Sequence, residues 1–242
     1  MPAYRQHTGV LGLPGETVTV AAPRRWRGDG SRVALVLAEG YTNDPAVTFR
    51  PGQLQPVVDA VTAAGFLVVN SQLGGNAFGN TTAQARIEVL IAFARATYGA
   101  HPGKVAIAGF SMGAMNVLSW AGTTDDDVAC AHVWCPATDQ AWMHGLPQWA
   151  PALDAAYDGW TTEDRAGHDP LTLAQAGAYD EIPLRVEYAS DDATIPAARV
   201  QAFAAAAGVT AHDLGAGGHE YTQTRKPSSL AALVEALRTY GT

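Results

Sequence analysis

Five residues, Gly109-Phe110-Ser111-Met112-Gly113, constrain most sharply what this chain can fold into. They join an apolar run, Lys104-Val105-Ala106-Ile107-Ala108, to a helix-like run from Met112 to Ala121. A strand that enters a helix through G-x-S-x-G turns so tightly that only glycine is tolerated on either side of the serine. The turn lifts the serine hydroxyl out of the sheet, at the positive end of the next helix. The plain alternative is a glycine-rich β-α turn with an ordinary serine, so the reading depends on what the rest of the chain supplies.

The elements around that turn alternate. Strand candidates cover Tyr4–Leu11 and Thr17–Ala22, then Val33–Ala38, an almost unbroken apolar run of the kind buried on both faces. Pro51–Ala64 has a helical pattern and Phe66–Asn70 a strand pattern. Thr81–Tyr98 is the clearest helix, because Ala83, Ile87, Leu90, Ile91 and Ala94 form one apolar stripe. Beyond the elbow come strands at Val128–Trp134, Leu184–Ala189 and Thr210–Leu214, and helices at Pro196–Ala207 and Leu230–Tyr240. Buried strands alternating with helices predict an α/β chain with a mostly parallel sheet and helices on both faces. Residues 136–170 interrupt the alternation with no clean strand, and hold Trp142, Trp149 and Trp160 among four prolines. An insertion of this length predicts a lid or binding surface, whose tryptophans either contact substrate or seal the insertion against the body.

Composition narrows the classes of function. The chain has 242 residues, 48% of them hydrophobic and 16% charged, which suits a sizeable core and disfavours disorder. Its net charge is −8 with only 15 Lys and Arg, scattered along the sequence, so no nucleic-acid partner is expected. No apolar run approaches the length of a membrane span, and the first residues lack the apolar stretch of a cleaved signal. The expectation is a cytoplasmic protein, or one that leaves the cell or joins a particle without such a signal. Cys130 and Cys135 lie in or beside the predicted strand Val128–Trp134, and five residues of strand span roughly 16 Å and point them to opposite faces, so both are expected to be reduced.

A serine hydroxyl becomes a nucleophile when a histidine, oriented by a carboxylate, takes its proton. After an elbow the order along the chain is serine, acid, histidine, each beyond the end of a strand. The acid turn is Ser190-Asp191-Asp192-Ala193-Thr194-Ile195-Pro196. Asp191 and Asp192 compete there; the position at the strand end favours Asp192 and leaves Asp191 as a turn cap. The histidine is His219, delivered by Gly215-Ala216-Gly217-Gly218 after the last strand, whereas His212 lies within that strand and is structural. Two backbone N–H groups should hold the oxyanion. One is Met112, after the serine; the other is Tyr41, in the loop Glu39-Gly40-Tyr41-Thr42. A plain β-α loop is the alternative for the second.

Together these motifs resemble the α/β-hydrolases of compact esterase or lipase type, from about Ser31 to the C-terminus. The resemblance implies an α/β-hydrolase fold, one domain over residues 1–242 with an eight-stranded, mostly parallel sheet and a small lid at 136–170. It implies a triad of Ser111, His219 and Asp192. Family members usually carry His-Gly before the oxyanion residue, and this chain has Glu39-Gly40. The stretch Asn76–Arg86 is similar to small hydrolases of actinobacteria and their phages. The expected activity is hydrolysis of a carboxylic ester, on a small molecule or a cell-envelope component, with Trp142, Trp149 and Trp160 contacting substrate. No metal and no organic cofactor is expected, since neither a Cys/His ligand spacing nor a G-x-G-x-x-G is present. Amide cleavage and acyl transfer use the same groups. A binding or structural protein on the same scaffold is the reading from another class.

Overall fold

The computed structural model describes residues 2–41, 53–161 and 166–242. Eight strands form one sheet: β1 (Ala3–Thr8), β2 (Thr17–Ala22), β3 (Ala34–Ala38), β4 (Leu67–Asn70), β5 (Lys104–Phe110), β6 (Asp127–Trp134), β7 (Leu184–Tyr188) and β8 (Ala211–Asp213). Their order is β1-β2-β4-β3-β5-β6-β7-β8. β1 and β2 pair antiparallel, β2 meets β4 antiparallel, and β3 to β8 run parallel. The chain builds from β3 to β4 on one side, then crosses to place β5 on the other side of β3. That reversal opens a crevice beyond the carboxyl ends of β3 and β5, where α/β sheets place their ligands.

Helices cover both faces. On one lie α2 (Thr81–Tyr98), α3 (Met112–Ala121) and α7 (Ala197–Ala206), which bury Ile87, Leu90, Met115, Leu118, Val200 and Phe203 against the sheet. On the other, α1 (Gln55–Ala63) and α8 (Pro227–Tyr240) bury Val57, Val58, Val61, Leu233 and Leu237. The long helix α2 starts where Asn80 accepts a hydrogen bond from Ala83 N at 3.1 Å, and ends at Gly99 in the left-handed region. All five residues of its expected apolar stripe are buried.

Between β6 and β7 the described residues form three short helices, α4 (Gln140–His144), α5 (Ala150–Tyr157) and α6 (Pro170–Gln175). The predicted elements sit within a few residues of their places, with two differences. The last helix starts at Pro227 rather than Leu230, since proline suits a first helical turn. The first strand stops at Thr8, because Gly9 takes a left-handed φ of 70°. The start of the predicted Pro51–Ala64 helix and Thr42 of the predicted oxyanion loop lie outside the described residues.

Cys130 and Cys135 are free and buried, but not on opposite faces. Both pack into the core under α1 and α8, because Cys135 lies past the end of β6 with a φ of 43° that swings its side chain back. The period of two on which the expectation rested ends with the strand.

Candidate active site

Ser111 follows β5 with φ 55° and ψ −119°, a conformation that costs energy for any residue with a side chain. The surrounding backbone holds it there. Its N–H donates to Trp134 O at 3.0 Å, and its carbonyl accepts from Met115 N and Ala137 N at 3.3 and 3.2 Å. The flanking glycines are required by contact. A Cβ on Gly109 would lie 2.6 Å from the Gly113 backbone, and one on Gly113 would lie 2.2 Å from Glu39 O. The elbow is thus packed directly against the end of β3.

Two loops reach over this serine. After β8, Gly217 and Gly218 adopt φ of 151° and 63°, and His219 follows. Its Nε2 is 2.7 Å from Ser111 Oγ, and its Nδ1 is 2.7 Å from Asp192 Oδ2. The imidazole also rests against the Phe110 ring, 5.0 Å between centroids. Asp192 follows β7 and is 6% exposed. Burial opposes its ionisation, but the bonds from His219 and from the Ile195 and Thr194 N–H groups outweigh burial. The carboxyl is held below its ordinary value. Asp191 does different work: its Oδ1 accepts from Gly217 N at 2.8 Å and Gly218 N at 2.7 Å, bracing the loop that carries His219. The adjacent aspartates therefore divide, one meeting the imidazole and its neighbour the glycines before it.

The loop after β3 meets the elbow from the other side. Buried Gly40 lies so close that a Cβ there would be 3.4 Å from Ser111 Cβ and 3.2 Å from the Tyr221 hydroxyl oxygen. Gly40 N donates to that hydroxyl at 2.9 Å. Tyr221 also packs its ring on Phe110 at 4.4 Å, and burial pushes its hydroxyl up to about 12 despite the bond from Gly40. Motif reading passed over Tyr221; the signal available was its place two residues beyond His219. Glu39, where the resemblance led to a histidine, is 7% exposed and accepts from Asn70 Nδ2 at 2.6 Å. Met112 opens α3, so its N–H belongs to the unpaired first turn of that helix.

The three tryptophans part company. Trp149 packs edge-on against Tyr41 at 5.3 Å, and Tyr41 also meets Phe78 at 5.7 Å. Trp142 lies under the Arg199 guanidinium at 5.1 Å, and Trp160 stacks on His144 at 3.9 Å. Trp149 is thus tied, through Tyr41, to the loop beside Ser111.

No family model matches the chain, and no curated protein matches it by sequence. Solved structures do match. The chain is similar to an S-formylglutathione hydrolase from Agrobacterium tumefaciens, with a TM-score of 0.75 at 16% identity, covering 100% of this chain and 96% of that one. It is similar to fluorophosphonate-binding serine hydrolase F of Staphylococcus aureus, with a TM-score of 0.73 at 18% identity, covering 99% and 98%. A ferulic acid esterase gives a TM-score of 0.71 at 17% identity, covering 100% and 98%. The fold is the α/β-hydrolase fold.

Beneath the site of this α/β-hydrolase fold lies a second polar cluster. Glu187 on β7 is fully buried, with His132 Nε2 at 3.0 Å and Arg185 Nε at 2.6 Å; Ser229 Oγ donates to it and accepts from Trp134 Nε1 at 2.7 Å. Burial disfavours the charge of Glu187, yet these partners prevail and lower it to about 2. Cys135 N donates to Glu187 O at 2.8 Å, which links this cluster to the floor of the site. The thiol of Cys135 is pushed up to about 12 by burial and by the neighbouring Asp192. Among the described residues, Cys135, Asp192 and His219 form a trio whose donor atoms lie within 4.8 Å of one another. Two of them already share the 2.7 Å bond described above. Among the described residues, no helix is long and apolar enough to cross a membrane.

Proposed function

We propose that this chain is a serine hydrolase that cleaves carboxylic esters with Ser111, His219 and Asp192 as its triad. One observation carries the reading: the unbroken line from Asp192 Oδ2 through His219 to Ser111 Oγ, with both contacts at 2.7 Å. An ionised Asp192 keeps the proton on Nδ1, which leaves Nε2 free to accept from the serine. The names of the solved structures above, an S-formylglutathione hydrolase, a fluorophosphonate-binding serine hydrolase and a ferulic acid esterase, support the same class.

In this reading Ser111 Oγ attacks the ester carbonyl carbon while its proton passes to His219 Nε2. The carbonyl electron pair moves to oxygen, and the Met112 and Tyr41 N–H groups hold the charge. Collapse of the tetrahedral intermediate breaks the bond to the alcohol oxygen, which leaves with the proton from His219. Water then attacks the acyl-serine, gives its proton to the same nitrogen and releases the acid as Ser111 recovers its own. Asp192 stays ionised and stabilises the imidazolium formed in each half.

Residues 136–170 act as the cap of one domain spanning residues 1–242. Trp149, with Tyr41 and Phe78, supplies an apolar wall for the acyl group, and Trp142 and Trp160 complete the cap. The substrate is a short or medium ester, on a small molecule or a cell-envelope component. Covalent labelling by a fluorophosphonate, read by intact mass, tests the chemistry. One adduct on the wild type and none on Ser111→Ala is expected, together with turnover of at least one member of an acyl-ester chain-length series. Absence of adduct on folded wild type, or labelling that survives Ser111→Ala, would overturn the assignment.

A further inference from the structure

Four of the basic residues stand within nine positions of one another in the sequence, and folding sets them around one cavity. Arg24, Arg25, Arg27 and Arg32, four of the chain's 15 Lys and Arg, line one cavity of about 830 Å³. The loop between β2 and β3 supplies them, with Asp59 and Thr62 of α1 across the cavity. This is where β3 and β4 begin, whereas Ser111, Asp192 and His219 stand beyond the ends of their strands. The cavity and the candidate active site therefore occupy opposite ends of the sheet.

The loop is held rigidly. Trp26 Nε1 donates to Tyr98 O at 2.7 Å, and Gly30 N donates to Gly99 O at 3.0 Å. Gly28 has a φ of 62° and packs so tightly that a Cβ would lie 2.6 Å from Tyr98 O. Arg32 is fixed by Gly65 O at 3.0 Å and by the Phe66 ring, 5.3 Å from its guanidinium. A ligand meeting these arginines finds a backbone already ordered, which lowers the cost of binding.

Positive charge accumulates at this place. Arg86, Arg95, Arg185 and Arg199 each have a carboxylate partner, at Glu16, Asp126, Glu187 and Asp139. Among the described residues no carboxylate lies within ion-pair distance of Arg24, Arg25 or Arg27, although the charge of Arg27 helps to hold Asp29 ionised. Of the described lining residues two are carboxylates, and both are already engaged, Asp29 with Ser31 and Asp59 with Tyr4. Among the described lining residues, four guanidiniums against two carboxylates leave an excess of two positive charges, on a chain whose net charge is −8.

We propose that this cavity is a binding site for a small molecule bearing two or more phosphate groups. Guanidinium forks with no close carboxylate match phosphate oxygens two at a time, and three arginines in one short loop call for more than one phosphate. The volume lies within the range of about 300–1,000 Å³ typical of small-ligand sites. Pro23 and the Trp26 ring leave an apolar wall for an organic portion. The site is independent of Ser111 and of the ester-hydrolase reading.

Calorimetric titration of the full chain with sodium tripolyphosphate tests this, with citrate as a polycarboxylate control. One saturable site is expected at 20 mM salt, weaker at 200 mM because exposed charges are screened. Arg24→Gln/Arg25→Gln/Arg27→Gln should weaken it by about tenfold or more, with unchanged melting temperature and unchanged turnover of a neutral ester. The single Arg25→Gln variant reports in the same direction should the triple variant fail to fold. Absence of saturable binding by the wild type, or equal binding by the variants, would overturn the site. Citrate binding as tightly as tripolyphosphate would overturn its assignment to phosphate.

Discussion

Replacing Tyr221 with phenylalanine removes one oxygen atom from the wall behind the oxyanion loop. The phenylalanine keeps the ring contact with Phe110, 4.4 Å between centroids. What disappears is the acceptor 2.9 Å from Gly40 N, and Gly40 is buried. An unpartnered buried N–H costs about 1–3 kcal/mol, and the loop relieves that cost by turning its peptide toward another acceptor. The next peptide carries the Tyr41 N–H that we propose holds the oxyanion. A displaced donor is felt most where charge has developed, so the loss falls on kcat. The same range corresponds to a fall of about 5- to 150-fold. KM for a neutral ester should change by less than about twofold, since ground-state binding does not use that charge. Tyr221 stays protonated through the working range, as its hydroxyl is pushed up to about 12, so the loss should be flat between pH 6 and 9. Steady-state kinetics on an acyl ester, with melting curves for both proteins, make the measurement. Unchanged kcat with a lowered melting temperature would reduce Tyr221 to a packing residue. A raised KM at constant kcat would refute the route through the oxyanion loop.

Other positions report on separate parts of the argument. Asp191→Ala removes the acceptor of Gly217 N and Gly218 N and should lower kcat/KM by about two- to tenfold, leaving the fluorophosphonate adduct on Ser111; complete loss of labelling would mean that Asp191 does more than brace the loop. Gly113→Ala places a Cβ 2.2 Å from Glu39 O and 2.5 Å from Ala38 O, both backbone atoms. A loss of about 1–3 kcal/mol or more in stability is expected by thermal or urea melting, and a wild-type melt would refute the close packing. Glu187 has a carboxyl lowered from 4.5 to about 2. Its stabilisation is therefore present above about pH 4.5 and is lost as the pH falls through about 2. The shift amounts to about 3 kcal/mol, so Glu187→Gln should flatten the acid limb of a stability–pH curve by roughly that amount. Parallel curves for the two proteins would show that the buried cluster does not stabilise the fold through that charge.

Much of this protein is written locally. The strand β5, the elbow and α3 are legible because each obeys a short-range rule: an apolar run, a turn that only glycine allows, a helical stripe. The acid turn and the histidine loop are legible as strand-end segments in a fixed order along the chain. The strand-end position favoured Asp192 over Asp191 without deciding between them. Both follow β7, and what separates them is whether the side chain meets His219 or the glycines before it, a distance set by the β7–β8 pairing. Cys135 was misplaced because a left-handed residue past the strand end breaks the alternation on which face assignments depend.

The sequence by itself determined the alternation of elements, the parallel character of the sheet and the identities of Ser111 and His219 as candidates, because hydrophobic period and glycine punctuation act over a few residues. Only the tertiary structure decided the strand order, the crevice between β3 and β5, the bond from Gly40 to Tyr221 across 181 positions and the placing of α1 beside the Arg24–Arg32 loop at the far end of the sheet. Those are contacts between segments remote in the chain. No local pattern encodes them, since they depend on how buried faces stack and on which backbone groups still need partners once they have.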